Sequence, residues 1–168
     1  MWKFLLSLLA GAGAATVLAG PQPCQPDAEQ ALRAINALRA EPRACGAQAM
    51  PAAAALRWSG PLADSSRRFA QELARRGLLT HEGEQLHGMR ERMQASGYAM
   101  RLAGENLAAG AETLNEVLQQ WLSSPGHCEN LMLAEFRDVG LACAIGAAPE
   151  DRYGRYWVMQ LGRPAVER

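Results

Sequence analysis

Lysine is almost absent from this chain of 168 residues. Lys3 is the only one, and the remaining basic residues are all arginines, set against 17 acids. Without Lys3 the acids outnumber the bases by one, which leaves no excess of cations to draw nucleic acid or an anionic membrane surface. The arginine preference matches base-composition bias and carries no functional reading by itself. Histidine is scarce too: His81, His87 and His127 are the only three, so imidazole chemistry has few places to occur. Repeats, low-complexity tracts and internal linkers are missing, and the length suits one domain and is too short for two.

Residues 1–20 hold the one long apolar stretch. Lys3 in a short basic start, Phe4 to Leu9, and a small-residue run ending in Val17 and Ala19 read as a signal peptide cleaved near Ala19 or Gly20. The expected organisation is that leader over 1–20, an extended Pro-rich arm over 21–26, and one domain over 27–165. Its expected location is secreted or periplasmic, as a monomer with no stable membrane insertion once the leader is removed. Four cysteines in an exported chain suggest two disulfides. Three pairings are open. The preferred one joins Cys24 to Cys45, tying the arm to the end of the first helix, and leaves Cys128 for Cys143. A nucleophilic Cys128 beside His127 is the alternative, but neighbours in sequence make a poor catalytic dyad.

Periodicity marks out helices first. Asp27 suits an N-cap, with Gln30 at the capping-box position and Ala31, Leu32, Ile35 and Leu38 as a buried stripe that Pro42 ends. A second helix starts near Ser59 or Gly60 with Pro61 in its first turn. It turns Leu62, Ser66, Phe69, Ala70 and Leu73 inward, and Arg67, Arg68, Arg75 and Arg76 to water. Gly77 closes it in the left-handed conformation, with Leu78 folding back on Leu73. A third helix is expected over Gln85 to Ser96, with Leu86, Met89 and Met93 inward. Thr113 and Glu116 form a capping box ahead of Leu114, Val117, Leu118, Trp121 and Leu122. Later, Val139, Leu141, Cys143 and Ile145 alternate, as do Trp157, Met159 and Leu161, so the two runs predict an antiparallel hairpin. Residues 98–109 offer a further strand. Helices beside a small sheet predict an α/β sandwich.

The best-defined stretch runs from Ala103 to Met132. It carries Gly104-Glu105-Asn106, read as an acidic glycine turn, then the capped helix, then a Pro125-Gly126 break that delivers His127. Gly104-Glu105-Asn106, Trp121 to His127, Asn130-Leu131 and Phe136 to Gly140 together resemble the bacterial branch of the CAP superfamily, also called SCP domains. That superfamily includes cysteine-rich secretory proteins, antigen 5 and pathogenesis-related proteins. Leu56-Arg57-Trp58, Leu79-Thr80-His81 and Ser96-Gly97-Tyr98 fall where the family has similar segments, and the likeness covers about residues 28 to 163. The resemblance implies a three-layer α-β-α sandwich with a small antiparallel sheet. It also implies a shallow cleft in which His81 and Glu105 match the family's first histidine and acid.

Two positions depart from the pattern of the animal and plant proteins. The late His-Tyr-Thr-Gln motif is replaced by Tyr156-Trp157-Val158-Met159, and Ser124 stands where an acid is expected. The resemblance then implies that His127, in the Ser-Pro-Gly-His stretch, supplies the second imidazole from another direction. His81, Glu105 and His127 are the candidate cleft residues for catalysis, and His81 with His127 the candidate ligands of a divalent metal such as zinc. Singly, each has a plainer role: His81 as a solvated loop residue, Glu105 as a surface acid, His127 as a helix cap. His81-Glu82 followed by His87 does not match H-E-x-x-H spacing, so His87 is treated as surface. No G-x-S-x-G elbow surrounds Ser124, which suits a cap before Pro125. Three function classes follow. One is a secreted binding module for a metal, lipid, peptide or cell-envelope component. The others are an extracellular peptidase or esterase, and a scaffold with a vestigial cleft.

Overall fold

In the computed structural model, which describes residues 24–146 and 151–166, the chain begins with helix α1 (Ala28–Arg39) and a small hairpin, β1 (Arg43–Cys45) and β2 (Gln48–Met50). Then come β3 (Arg57–Trp58), α2 (Gly60–Arg76), α3 (Met89–Ala95), β4 (Met100–Ala109), α4 (Leu114–Ser123), α5 (Pro125–Met132), β5 (Asp138–Ile145) and β6 (Arg155–Pro164). The leader expected at 1–20 lies outside the described residues. The main sheet has the order β3-β5-β6-β4, with β3 parallel to β5 and the other pairs antiparallel. Helices cover both faces, as the three-layer sandwich requires.

Alternation along the strands assigns each side chain to a layer. Val139, Leu141, Trp157, Met159 and Leu161 meet Ile35 of α1, Val117, Leu118 and Trp121 of α4, and Leu131 of α5. On the opposite face Leu107, Ala142, Tyr156 and Val158 meet Phe69, Ala70, Leu73 and Ala74 of α2. Each such large apolar side chain, fully buried, contributes about 1.5–3 kcal/mol. Trp121 and Trp157 also satisfy their indole N–H groups, on the carbonyls of Leu107 and Ala111.

The helix ends are set locally. Asp27 accepts from the N–H groups of Glu29 and Gln30, and Ser59 from that of Leu62. Gly77 closes α2 at φ 62°, and the Leu78 N–H bonds the Leu73 carbonyl, while the Leu78 side chain stays exposed instead of packing on Leu73. Thr113 caps α4 through the Glu116 N–H, but Glu116 returns its bond to Glu112, one residue earlier than a capping box expects. Ser124 occupies the N-cap of α5 without a side-chain bond.

The structure departs from further expectations. The third helix starts at Met89, not Gln85, because residues 81–88 wrap around a buried arginine, and Leu86 is exposed. Gly104-Glu105-Asn106 is not a turn: these residues lie within β4, opposite Leu161, Gln160 and Met159 of β6. The disulfides are Cys24–Cys143 and Cys45–Cys128. The arm runs along β5, where Gln25 accepts from the Cys143 N–H, so Cys24 meets Cys143. Meanwhile the β1–β2 hairpin carries Cys45 to α5, against Cys128 and Met132. These loops are longer than the expected ones, so the chain-entropy account gives about 4–5 kcal/mol for each. Cys128 is therefore no free nucleophile.

Candidate functional site

The two faces of β4 organise the site. Glu105 shares the α2 face with Leu107, while Gly104 and Asn106 look toward α5. A Cβ at Gly104 would lie 2.4 Å from Asn130 Oδ1 and 2.6 Å from Phe136, so only glycine lets α5 approach this closely. Buried Asn106 donates to the His127 carbonyl at 2.9 Å and accepts from Asn130 at 2.8 Å. His127 is thus placed through its backbone. The Cys45–Cys128 bridge at the next residue holds the same turn of helix.

On the other face Glu105 is the hub. Its side chain is 2% exposed, and both oxygens are fully engaged. Oε1 is 2.9 Å from His81 Nδ1 and from Arg92 Nη2; Oε2 is 2.9 Å from Arg92 Nη2 and Gln160 Nε2. Burial alone pushes this carboxyl up. The His81 bond, the Arg92 charge and the Gln160 and Arg92 bonds outweigh it and hold the group below its ordinary value. Glu105 is therefore an anion near neutral pH, able only to accept.

His81 is the exposed partner, with 61% of its side chain open to solvent. It leaves α2 just beyond Gly77 and reaches back to the sheet. His81, Glu82, His87, Gly88, Met89 and Glu105 line an open cavity of about 590 Å³. His87 joins that wall, although its sequence context marked it as plain surface, and its Nδ1 lies 3.1 Å from the Gly83 carbonyl. His127 does not line the cavity. It stands near enough that, after burial, the charge of His81 helps to lower its pKa from 6.5. The structure therefore joins His81 to Glu105 directly and places His127 on α5, outside the cavity wall.

The divalent-metal expectation fits these residues poorly. The Glu105 oxygens are occupied by donors, His81 Nδ1 is committed to Glu105, and a buried guanidinium beside them opposes a second cation. Among the described residues no group of three or more His, Cys, Asp and Glu side chains is placed to hold a metal ion. Two members of the network, Arg92 and Gln160, carry no motif. Their signal is positional: Arg92 lies one helical turn from Met89 and beside Met93, and Gln160 alternates with Met159 and Leu161.

The family model described as the cysteine-rich secretory protein family (CAP) matches residues 32–161. The chain belongs to this family. Among its relatives, the uncharacterized protein YkwD of Bacillus subtilis (strain 168) is 29% identical over 80 residues, spanning 48% of this chain and 31% of YkwD. An extracellular SCP-domain protein of Bacillus anthracis str. Ames superposes with a TM-score of 0.65 at 23% identity, covering 80% of this chain and 39% of that one. An outer surface protein of Borrelia burgdorferi gives 0.61 at 20% identity, covering 85% and 99%. At these identities the superpositions establish the CAP fold and nothing finer. The matches span 31% of YkwD and 39% of the Bacillus anthracis protein, well under two thirds of either. No helix among the described residues is long and apolar enough to cross a membrane.

Proposed function

We propose that this CAP domain is an exported binding module whose His81–Glu105 cleft takes an extracellular ligand, a lipid head group, peptide or cell-envelope component, by hydrogen bonding. Export rests on the apolar leader and the two disulfides. One observation carries the binding reading: an exposed imidazole is held by a buried carboxylate on the wall of an open cavity. Because Glu105 only accepts, neutral His81 carries its proton on Nδ1 and keeps Nε2 as an acceptor. The complementary ligand offers an N–H or O–H donor.

The same His–carboxylate pair favours a second reading, a hydrolase in which Glu105 orients His81 as general base. The cavity wall includes no serine, threonine or cysteine, so in that reading His81 activates a water and no covalent intermediate forms. Equilibrium binding of a panel of envelope lipids in vesicles and of peptides, compared between wild type and His81→Ala, tests the proposal. The expected result is a loss of tenfold or more with the substitution, about 1.4 kcal/mol. Equal binding by both proteins, or none by either, would leave the cleft vestigial and the domain a scaffold. Turnover of a panel member that stops in His81→Ala would favour the hydrolase.

A further inference from the structure

Arg92 is 5% exposed and does not line the His81 cavity; it lies behind it, on the side of α2 and α3. Its guanidinium stacks on Phe69 with 3.5 Å from Cζ to the ring centroid, which fixes the plane of the fork. Nη2 donates to both oxygens of Glu105. Nη1 points the other way, into the segment between α2 and α3, and donates to the carbonyls of His81 at 3.1 Å, Leu86 at 3.3 Å and His87 at 3.1 Å. That segment has no regular structure of its own. Its few internal ties include the Gly83 N–H on the His87 carbonyl, at 3.2 Å. Gly83 sits so tightly inside it that a Cβ would lie 2.4 Å from the Leu86 carbonyl oxygen and 3.5 Å from Arg92 Nη1.

We infer that Arg92 is the positioning residue of the cleft: one guanidinium binds the backbone of residues 81–87 and the Glu105 carboxylate together, and thereby fixes His81 with its Nδ1 proton on Glu105 and its Nε2 acceptor outward. This rests on the reading of His81 and Glu105 as the ligand-facing pair. The geometry explains why the residue is arginine. A lysine ammonium carries the same charge, but as a point source of three donors it cannot hold the carboxylate on one side and the three carbonyls on the other. Arg76 donating to the Glu82 carbonyl and the Glu84 N–H donating to Glu72 tie the outer side of the loop to α2, so losing the fork frees its inner side, at the carbonyls of His81, Leu86 and His87. An untethered neutral imidazole then exchanges between its two N–H tautomers, so the lone pair presented to a ligand is no longer fixed. The charged and titratable groups around the ring are Glu105 from β4, Arg92 from α3, Glu82 and His87 from the loop, and His127 from α5.

The test reads the imidazole nitrogens of His81 by NMR on 15N-histidine protein without ligand, at about pH 8, where a free imidazole is neutral. Hydrogen exchange of residues 82–88 accompanies it. The wild type is expected to show the Nδ1–H form of His81 and slow exchange in the loop. Arg92→Lys and Arg92→Met are both expected to give mixed tautomers and loop exchange at least about tenfold faster. Full retention of the Nδ1–H form in Arg92→Lys overturns the inference, because charge without the fork would then be enough. Gly83→Ala forces the loop off the guanidinium while leaving Arg92 and Glu105 intact, and decides the matter should the Arg92 variants not fold. It is expected to release His81 in the same way, and an unchanged His81 signature there also contradicts the inference. No ligand enters the experiment, so its failure leaves the binding proposal standing, and failure to bind any ligand leaves Arg92's role untouched.

Discussion

Two buried arginines stand on opposite faces of the sheet and do different things with the same group. Arg39, at the end of α1, is fully buried and spends its donors on the carbonyls of Ala54, Leu131 and Leu133. Among the described residues no carboxylate pairs with it. Burial, and then the charge of Arg137, lower its pKa to about 10. Arg92 also collects carbonyls, from the 81–87 segment, but its other edge meets the anionic Glu105. Arg39 is a clamp between α1 and the end of α5. Arg92 is a clamp with a counter-ion, and that counter-ion touches an exposed histidine. The difference shows where chemistry can sit: a buried cation that only ties backbone together stabilises a fold, whereas one that holds an anion can tune the group beside it.

The largest effect is expected at Arg39. Arg39→Met removes the donors for three carbonyls, at least one of them buried, and should destabilise the protein by about 3 kcal/mol, read from chemical denaturation. It should leave the His81 tautomer unchanged; a change there would mean that the two clamps form one unit. A smaller effect concerns pH. Because the folded pKa of Glu105 is depressed, its contribution to stability is complete above the unfolded carboxylate value, about 4.3, and is lost as pH falls through the folded value. Glu105→Gln should therefore flatten part of the acid-side loss of stability between pH 5 and the acid limit, compared with wild type in denaturant titrations. Identical acid profiles would show that His81, Arg92 and Gln160 do not favour the charged form. The smallest effect is expected at His87, which lines the cavity but is exposed. His87→Ala should change stability by no more than about 0.5 kcal/mol and leave Glu105 and His81 in contact. A larger loss would make the Gly83 carbonyl contact a structural tie.

Much of the apolar framework was legible. Ala31 and Ile35, Leu62 to Leu73, and Val117 to Trp121 recur at helical spacing, and a helix can bury such a stripe in only one direction. The hairpin of Val139 to Ile145 with Trp157 to Leu161 was equally plain. What the pattern could not convey was the use of polar groups across elements. Gly104 suggested a turn because glycine is common in turns, yet here it makes room for Asn130 and Phe136 inside a strand. The cysteine pairing depends on the arm running along β5 and on Cys45 facing α5, which spacing along the chain does not encode. His81 and Glu105 were recognisable as a pair through the family motifs. Arg92 and Gln160, which bond the Glu105 carboxylate, were hidden because a buried polar side chain and a surface one look alike in sequence. The metal expectation loses support on the same ground: two imidazoles and an acid suggest ligation until the acid is seen to be occupied by donors.

On the proposed function, the face carrying Glu105, and not the face carrying Arg39, meets the ligand. Backbone amide shifts of the labelled, disulfide-intact protein, followed while the tightest-binding member of the lipid and peptide panel is titrated in, test this most directly. Perturbations are expected to centre on residues 81–88 and on Glu105 and to be absent from α1. Perturbations centred on α1 and α4, with His81 and Glu105 unmoved, would contradict it.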